Sequence, residues 1–253
     1  MLSCLRTGLI GTLCAVAFCA PRTAIAGTFD VKSPEATKGE TEISVNSAFF
    51  NGYPINSELI RNSWEVSVGY GVTAWWTAGL KINLDQPIGS PFQASTVGTE
   101  HLFVVRKFEN GYGLGWYTGV DVAIHSDTTN TATFGPIFKF GTDKTALTLN
   151  TFLAQTFGQN RDDGIAFAYA WQAKHELRDG FAVGIEGYGN IKDIGNTPGV
   201  DFQEHRVGPV VYFERDLSAK EGGPKFKVET GVLFGLTAGT QDIAFKAKGG
   251  FTF

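Results

Sequence analysis

Residues 114–125 read Leu-Gly-Trp-Tyr-Thr-Gly-Val-Asp-Val-Ala-Ile-His, and their alternation decides the fold. Successive side chains of an extended chain point to opposite faces. Leu114, Trp116, Thr118, Val120, Val122 and Ile124 therefore share one face, and Gly115, Tyr117, Gly119, Asp121, Ala123 and His125 share the other. The first face is large and apolar. The second is small, polar or charged.

The same asymmetry recurs along the chain. Trp64, Val66, Val68 and Tyr70 oppose Glu65, Ser67 and Gly69; Ile165, Phe167, Tyr169 and Trp171 oppose Ala166, Ala168, Ala170 and Gln172. Phe226, Val228, Thr230, Val232 and Phe234 oppose Lys227, Glu229 and Gly231. A soluble sandwich would turn its apolar faces inward and carry many charges outside. Here charged residues are only 18% of the chain, while glycine fills 32 of 253 positions and aromatics reach 13%. A transmembrane barrel explains this better: the apolar face meets lipid, and the small residues relieve crowding in a tight lumen. The strands are also about ten residues long, which is what a tilted strand needs to cross a bilayer.

Reading the periodicity outward gives an all-β, antiparallel up-and-down barrel of about twelve strands: 41–50, 62–71, 76–84, 97–107, 113–125, 131–140, 145–156, 164–176, 181–190, 203–215, 225–235 and 242–253. Gaps after odd strands are long, and those after even strands are mostly tight, with an Asn110-Gly111 turn signal in one of them. Short periplasmic turns and longer external loops are the pattern of bacterial outer-membrane barrels. Pro136 and Pro209 fall inside predicted strands, so a local bulge or a nearer strand end is expected at each. The fourth strand has apolar residues on both faces, which leaves its register open.

The chain begins with a leader. Arg6 precedes an apolar core from Gly8 to Ala20, and Ala24-Ile25-Ala26 offers small residues for cleavage before Gly27. Cys4, Cys14 and Cys19 all lie in this 1–26 signal peptide, so the mature chain lacks cysteine. It keeps 19 basic against 25 acidic residues, a charge of −6, which argues against a nucleic-acid partner. Export and a barrel together place the protein in the outer membrane of a Gram-negative bacterium, with its lipid and the insertion machinery as partners. Phe245, Phe251 and Phe253 share a face of the last strand and form the expected barrel-assembly signal. The piece 27–40 lacks alternation and is either a periplasmic tail or a plug.

Three stretches carry a family resemblance: Val68-Gly-Tyr-Gly71, Ala74-Trp-Trp-Thr-Ala-Gly79, and Leu233-Phe-Gly-Leu-Thr237 followed by Asp242 and the terminal aromatic strand. In these the chain resembles proteobacterial outer-membrane barrels of the meta-pathway phenol-degradation family, which are transporter-like. The resemblance implies passage of small aromatic or hydrophobic solutes and brings no catalytic residue with it.

Parity along the strands turns a set of charges inward as candidate lumen-lining residues: Glu65, Lys81, Asp121, Lys139, Lys174, Glu176, Glu186, Glu204, Arg206, Lys227 and Glu229, with Lys246 and Lys248 beside them. Such charges either line a channel or pair across the lumen and plug it, and neither reading calls for a cofactor. The first gives a porin-like transport channel for small solutes, the second a structural or surface-interaction barrel. An outer-membrane hydrolase would need a histidine base beside a nucleophile. His125-Ser126-Asp127 is the one tempting run, but strand neighbours alternate faces and cannot form a triad there. Glu204-His205-Arg206 has no further ligand at metal spacing. The expected protein is not an enzyme and has no catalytic or metal site.

Overall fold

The computed structural model describes residues 28–55, 59–126, 128–218 and 223–253. The proposed signal peptide lies outside the described residues. Twelve strands follow one another: β1 (Thr41–Asn51), β2 (Ile60–Thr73), β3 (Trp76–Pro87), β4 (Gln93–Glu109), β5 (Tyr112–Ala123), β6 (Asn130–Gly141), β7 (Thr145–Phe157), β8 (Ile165–Arg178), β9 (Phe181–Ile191), β10 (Glu204–Asp216), β11 (Lys225–Gly235) and β12 (Ile243–Thr252). Each pairs antiparallel with its neighbours in sequence, and β1 pairs with β12, so the sheet closes into an up-and-down barrel.

Closure follows from backbone chemistry. Buried N–H and C=O groups need partners, and only a closed sheet leaves no edge. The seam between the first and last strands is continuous from Glu42–Thr252 to Asn51–Ile243, and Thr41 and Phe253 exchange backbone hydrogen bonds of 2.7 and 2.9 Å beyond it. At one end the connections are 52–59, 88–92, 124–129, 158–164, 192–203 and 236–242; at the other they are 74–75, 110–111, 142–144, 179–180 and 217–224. These are the long-loop and short-turn ends. In the 110–111 turn both Asn110 (φ 53°) and Gly111 (φ 80°) are left-handed, as a two-residue hairpin of this kind requires.

The faces fall as the alternation predicts. Trp116, Val120, Val122 and Ile124 point outward and are 40–47% exposed, whereas Tyr117 and Asp121 point inward and are buried. In β4 the register is settled by Glu100 and Leu102, which pair with Gly119 and Tyr117, while His101 and Phe103 lie outward against Trp76. Leu102 and Val104 thus face inward while Phe103 and Val105 face outward, which is why both faces of this strand read as apolar, and a register shift between Val104 and Arg106 then breaks the alternation.

The prolines correct one expectation. There is no bulge and no strand end at Pro136 or Pro209. Pairing of β6 with β7 passes from Phe134–Leu153 to Ile137–Asn150 in the same register, and β10 with β11 passes from Val207–Phe234 to Val210–Gly231. The ladder lapses over each Gly-Pro pair on one side only; on the other, Pro136 still faces Trp116 and Pro209 still faces Ile185. The preceding glycine lets the strands approach where the proline has no N–H to donate. A Cβ at Gly135 would meet the Thr151 carbonyl, and one at Gly208 the Val232 carbonyl.

This geometry separates two glycine substitutions. Gly208→Ala is expected to lower the unfolding free energy of the refolded protein in urea by about 1–3 kcal/mol, since the backbone of β11 must give way. Gly249→Ala, whose Cβ would meet nothing within 4 Å, is expected to be neutral or stabilising by up to about 1 kcal/mol.

Candidate functional site: the lumen and its N-terminal segment

Of the two courses open to the piece before β1, the structure has the luminal one. Gly39 donates to Gly71 O (2.7 Å) and Gly71 donates to Glu40 O (2.8 Å), anchoring the segment at the short-turn end. From there it climbs inside the barrel. Glu35 pairs with Lys139. Pro34 is fully buried in a groove that Gly113 and Gly115 leave open; a Cβ at Gly115 would stand 3.0 Å from that of Pro34.

At Lys32 the grip is on the backbone. The Lys32 N–H donates to Asn150 Oδ1 (2.8 Å), and Asn150 Nδ2 donates to the Lys32 carbonyl (2.8 Å), so one β7 side chain imitates a strand neighbour. The Lys32 ammonium pairs with Glu100 (2.8 Å) and Asp30 (2.9 Å), and Asp30 pairs in turn with Lys248 (2.8 Å). Burial alone would raise the Asp30 carboxyl; Lys248 and Lys32 overcome it and hold the group well below the usual carboxylate range. The clasp therefore contributes fully above the unfolded value of about 3.9 and is lost only far below it. Farthest in, the Phe29 ring is tilted on Tyr188 (5.0 Å), meets Phe50 edge-on (5.8 Å) and lies beneath the Arg206 guanidinium (4.9 Å).

The charges assigned inward by parity are all found inward, in distinct groups. Lys81 bridges Asp121 (3.2 Å) and Glu65 (3.8 Å), and Glu65 also accepts from Asn46 (3.0 Å). Glu186, fully buried, accepts from Tyr188 (2.5 Å), Lys246 (2.6 Å), Tyr212 (2.7 Å) and Gln172 (2.9 Å). Lys246 reaches Glu229 as well (3.3 Å). Arg206 donates to Glu204 (3.3 Å) and Gln241 (3.0 Å). Lys174 lies over the Tyr212 ring at 4.8 Å. A cavity of about 1190 Å³ reaches from the turns at Asp143 and Asp179 up to Tyr117 and Tyr212, and Lys139, Lys174, Glu176, Lys227 and Glu229 line it. Beyond it, towards the long loops, the lumen is filled by Phe29, Ala48, Ala170, Tyr188, Leu233 and Ala244. Phe245, Phe251 and Phe253 are about half exposed on the outer face.

Sequence reasoning missed Asp30, Lys32, Glu100, Asn150 and the tyrosines. Glu100 was hidden by the uncertain register of β4, and Asn150 offered only the signal of an amide at an inward position of β7. His125 and Ser126 are exposed, and Asp127 lies outside the described residues. His205 is held on the outer side between the Tyr169 hydroxyl (2.9 Å) and Gln203 Oε1 (2.9 Å).

Solved outer-membrane barrels share this architecture. The COG4313 outer membrane channel from Pseudomonas putida F1 superposes with a TM-score of 0.60 at 14% identity, covering 88% of this chain and 99% of that one. The NanC porin superposes with a TM-score of 0.54 at 10% identity, covering 83% and 98%. The chain is thus a twelve-stranded barrel of the outer-membrane type. No family model matches it and no curated protein sequence does, so the likeness is one of fold.

The Glu186 group is open to a direct test. Glu186→Gln leaves Lys246 with only the more distant Glu229 carboxylate and the Tyr188 hydroxyl, each at 3.3 Å, and is expected to destabilise the refolded barrel by about 3–5 kcal/mol in urea titrations followed by tryptophan fluorescence. Adding Lys246→Met is expected to restore a large part of the loss, because the buried ammonium that lost its closest carboxylate is then gone.

Proposed function

We propose that the protein is an outer-membrane channel for small solutes, with its N-terminal segment as a stopper that leaves the lumen when solute passes. The observation that carries this reading is the way the segment is held. It belongs to no strand, and apart from Phe29, Val31 and Pro34 it is gripped by polar contacts that water or solute can replace. A barrel meant only as a wall has no need of a 1190 Å³ vestibule running up to such a segment.

The outward apolar face, the exposed terminal phenylalanines and the leader support export to the outer membrane and insertion through a C-terminal signal. The inward charges are the residues proposed to meet the solute: Glu176, Lys174, Lys227 and Glu229 in the vestibule, then Glu186, Glu204 and Arg206 beyond the stopper. The proposed activity is passage and not catalysis. Small aromatic or hydrophobic compounds, which the family resemblance implies, remain part of the proposal. The buried Glu186–Lys246 pair favours a second reading, a structural barrel whose lumen is permanently sealed.

Planar-bilayer recording separates the two. The mature protein is expected to give small stepwise currents, and deletion of residues 27–37, which keeps the Gly39 and Glu40 anchor, is expected to enlarge them severalfold. Asn150→Ala should raise the frequency of large openings by loosening the grip on Lys32. A sealed membrane with all three proteins would establish the structural reading.

A further inference from the structure

The place where Phe29 sits has the form of a ligand site. Its walls are Phe50, Tyr188 and Leu233, and the three alanines Ala48, Ala170 and Ala244 supply the room that a ring needs. One polar group faces it without a full set of partners. Arg206 is 4% exposed and sends Nη2 to Glu204 and Gln241, while its Nη1 is buried with no acceptor among the described residues. The guanidinium lies over the Phe29 ring at 4.9 Å and within 5.5 Å of Phe50.

A buried guanidinium N–H without an acceptor is costly, and such a group in a native lumen calls for an explanation. Phe29 cannot provide one, because its ring carries no oxygen. It fills the aromatic part of the nest and leaves the donor unmet.

We propose that this nest is a solute site for a single-ring aromatic carboxylate, and that Phe29 is its resident occupant, displaced when the solute binds. The ring of the solute takes the place of the Phe29 ring under the guanidinium, keeping the cation–π contact, and its carboxylate accepts from Arg206 Nη1. Glu204 does not fill this role, since it meets the other nitrogen at 3.3 Å from two residues away on the same strand. A carboxylate is preferred over a neutral oxygen because a charge-assisted bond to guanidinium is about twice as strong as a neutral one. This inference rests on the channel reading in supposing that the segment can leave, and it adds the class of solute and the residue that selects it.

The test uses the full mature chain refolded in detergent, with sodium benzoate as probe in isothermal titration. Phe29→Ala empties the nest and is expected to bind benzoate at least about tenfold more tightly than the unaltered protein, which corresponds to a recovered contact of ordinary strength. On the same variant, benzyl alcohol should bind more weakly than benzoate, and acetate should show no binding in the same range. Arg206→Lys added to Phe29→Ala is expected to remove the gain, and heat-dependent gel migration will show that each variant is folded. Should the lysine variant fail to fold, the comparison of benzoate, benzyl alcohol and acetate on Phe29→Ala decides alone. Equal benzoate affinity with and without Phe29, or acetate or benzyl alcohol binding as well as benzoate, would overturn the proposal. Binding and current are read separately. Benzoate binding by a protein that passes no current keeps the site and removes the channel; current through Phe29→Ala without benzoate binding does the reverse.

Discussion

Everything in this molecule depends on the completion of one hydrogen-bonded ladder. Each strand hands its N–H and C=O groups to two neighbours, and the seam between β1 and β12 completes the ring. Where water is absent, an unpaired backbone group costs several kcal/mol, so a sheet in lipid must close or fail. The ring tolerates interruption only under strict conditions. At Pro136 and Pro209 one side of the ladder lapses, and in both places the opposite side stays paired and the register is kept. The missing donor is thus a local matter, and a preceding glycine absorbs the close approach.

Once the ring is closed its interior is fixed in width, and the inward side chains have to fill what the wall encloses. They do so in two ways. Around Glu186 four donors converge on one carboxylate, giving a polar core whose members come from β8, β9, β10 and β12. Elsewhere the wall leaves space, and the chain fills it with its own N-terminal segment. Glycines at 113 and 115, alanines at 48, 170 and 244, and a single amide at 150 form the seat. Part of the excess of small residues is therefore placed where another piece of chain comes near.

That division also explains what could be read in advance. Lipid outside and crowding inside impose a period of two on every strand, so the strands, their faces and the inward charges were legible from residue type and parity alone. Partners were not. Lys32 meets Asn150 and Asp30 meets Lys248, and nothing local in either stretch announces a contact across the lumen. The segment before β1 has no periodicity because it touches a different strand at each step. Glu100 escaped for another reason: the extra residue at Val105 reverses the facing pattern within one strand, and parity counted through it gives no single answer.

The bond between the luminal segment and β1 has a kinetic meaning. If the segment acts as the stopper proposed above, it differs from one that floats free and is lost by dilution, because it is tied to the wall at Thr41 by a short piece of chain. Tethers of that kind hold their cargo at an effective concentration in the millimolar range. Any molecule that takes the stopper's place competes against a rival of that strength which never diffuses away. In the proposed channel this would set a threshold: dilute compounds would leave the barrel shut, and when the competitor departed it would reseal without waiting for an encounter.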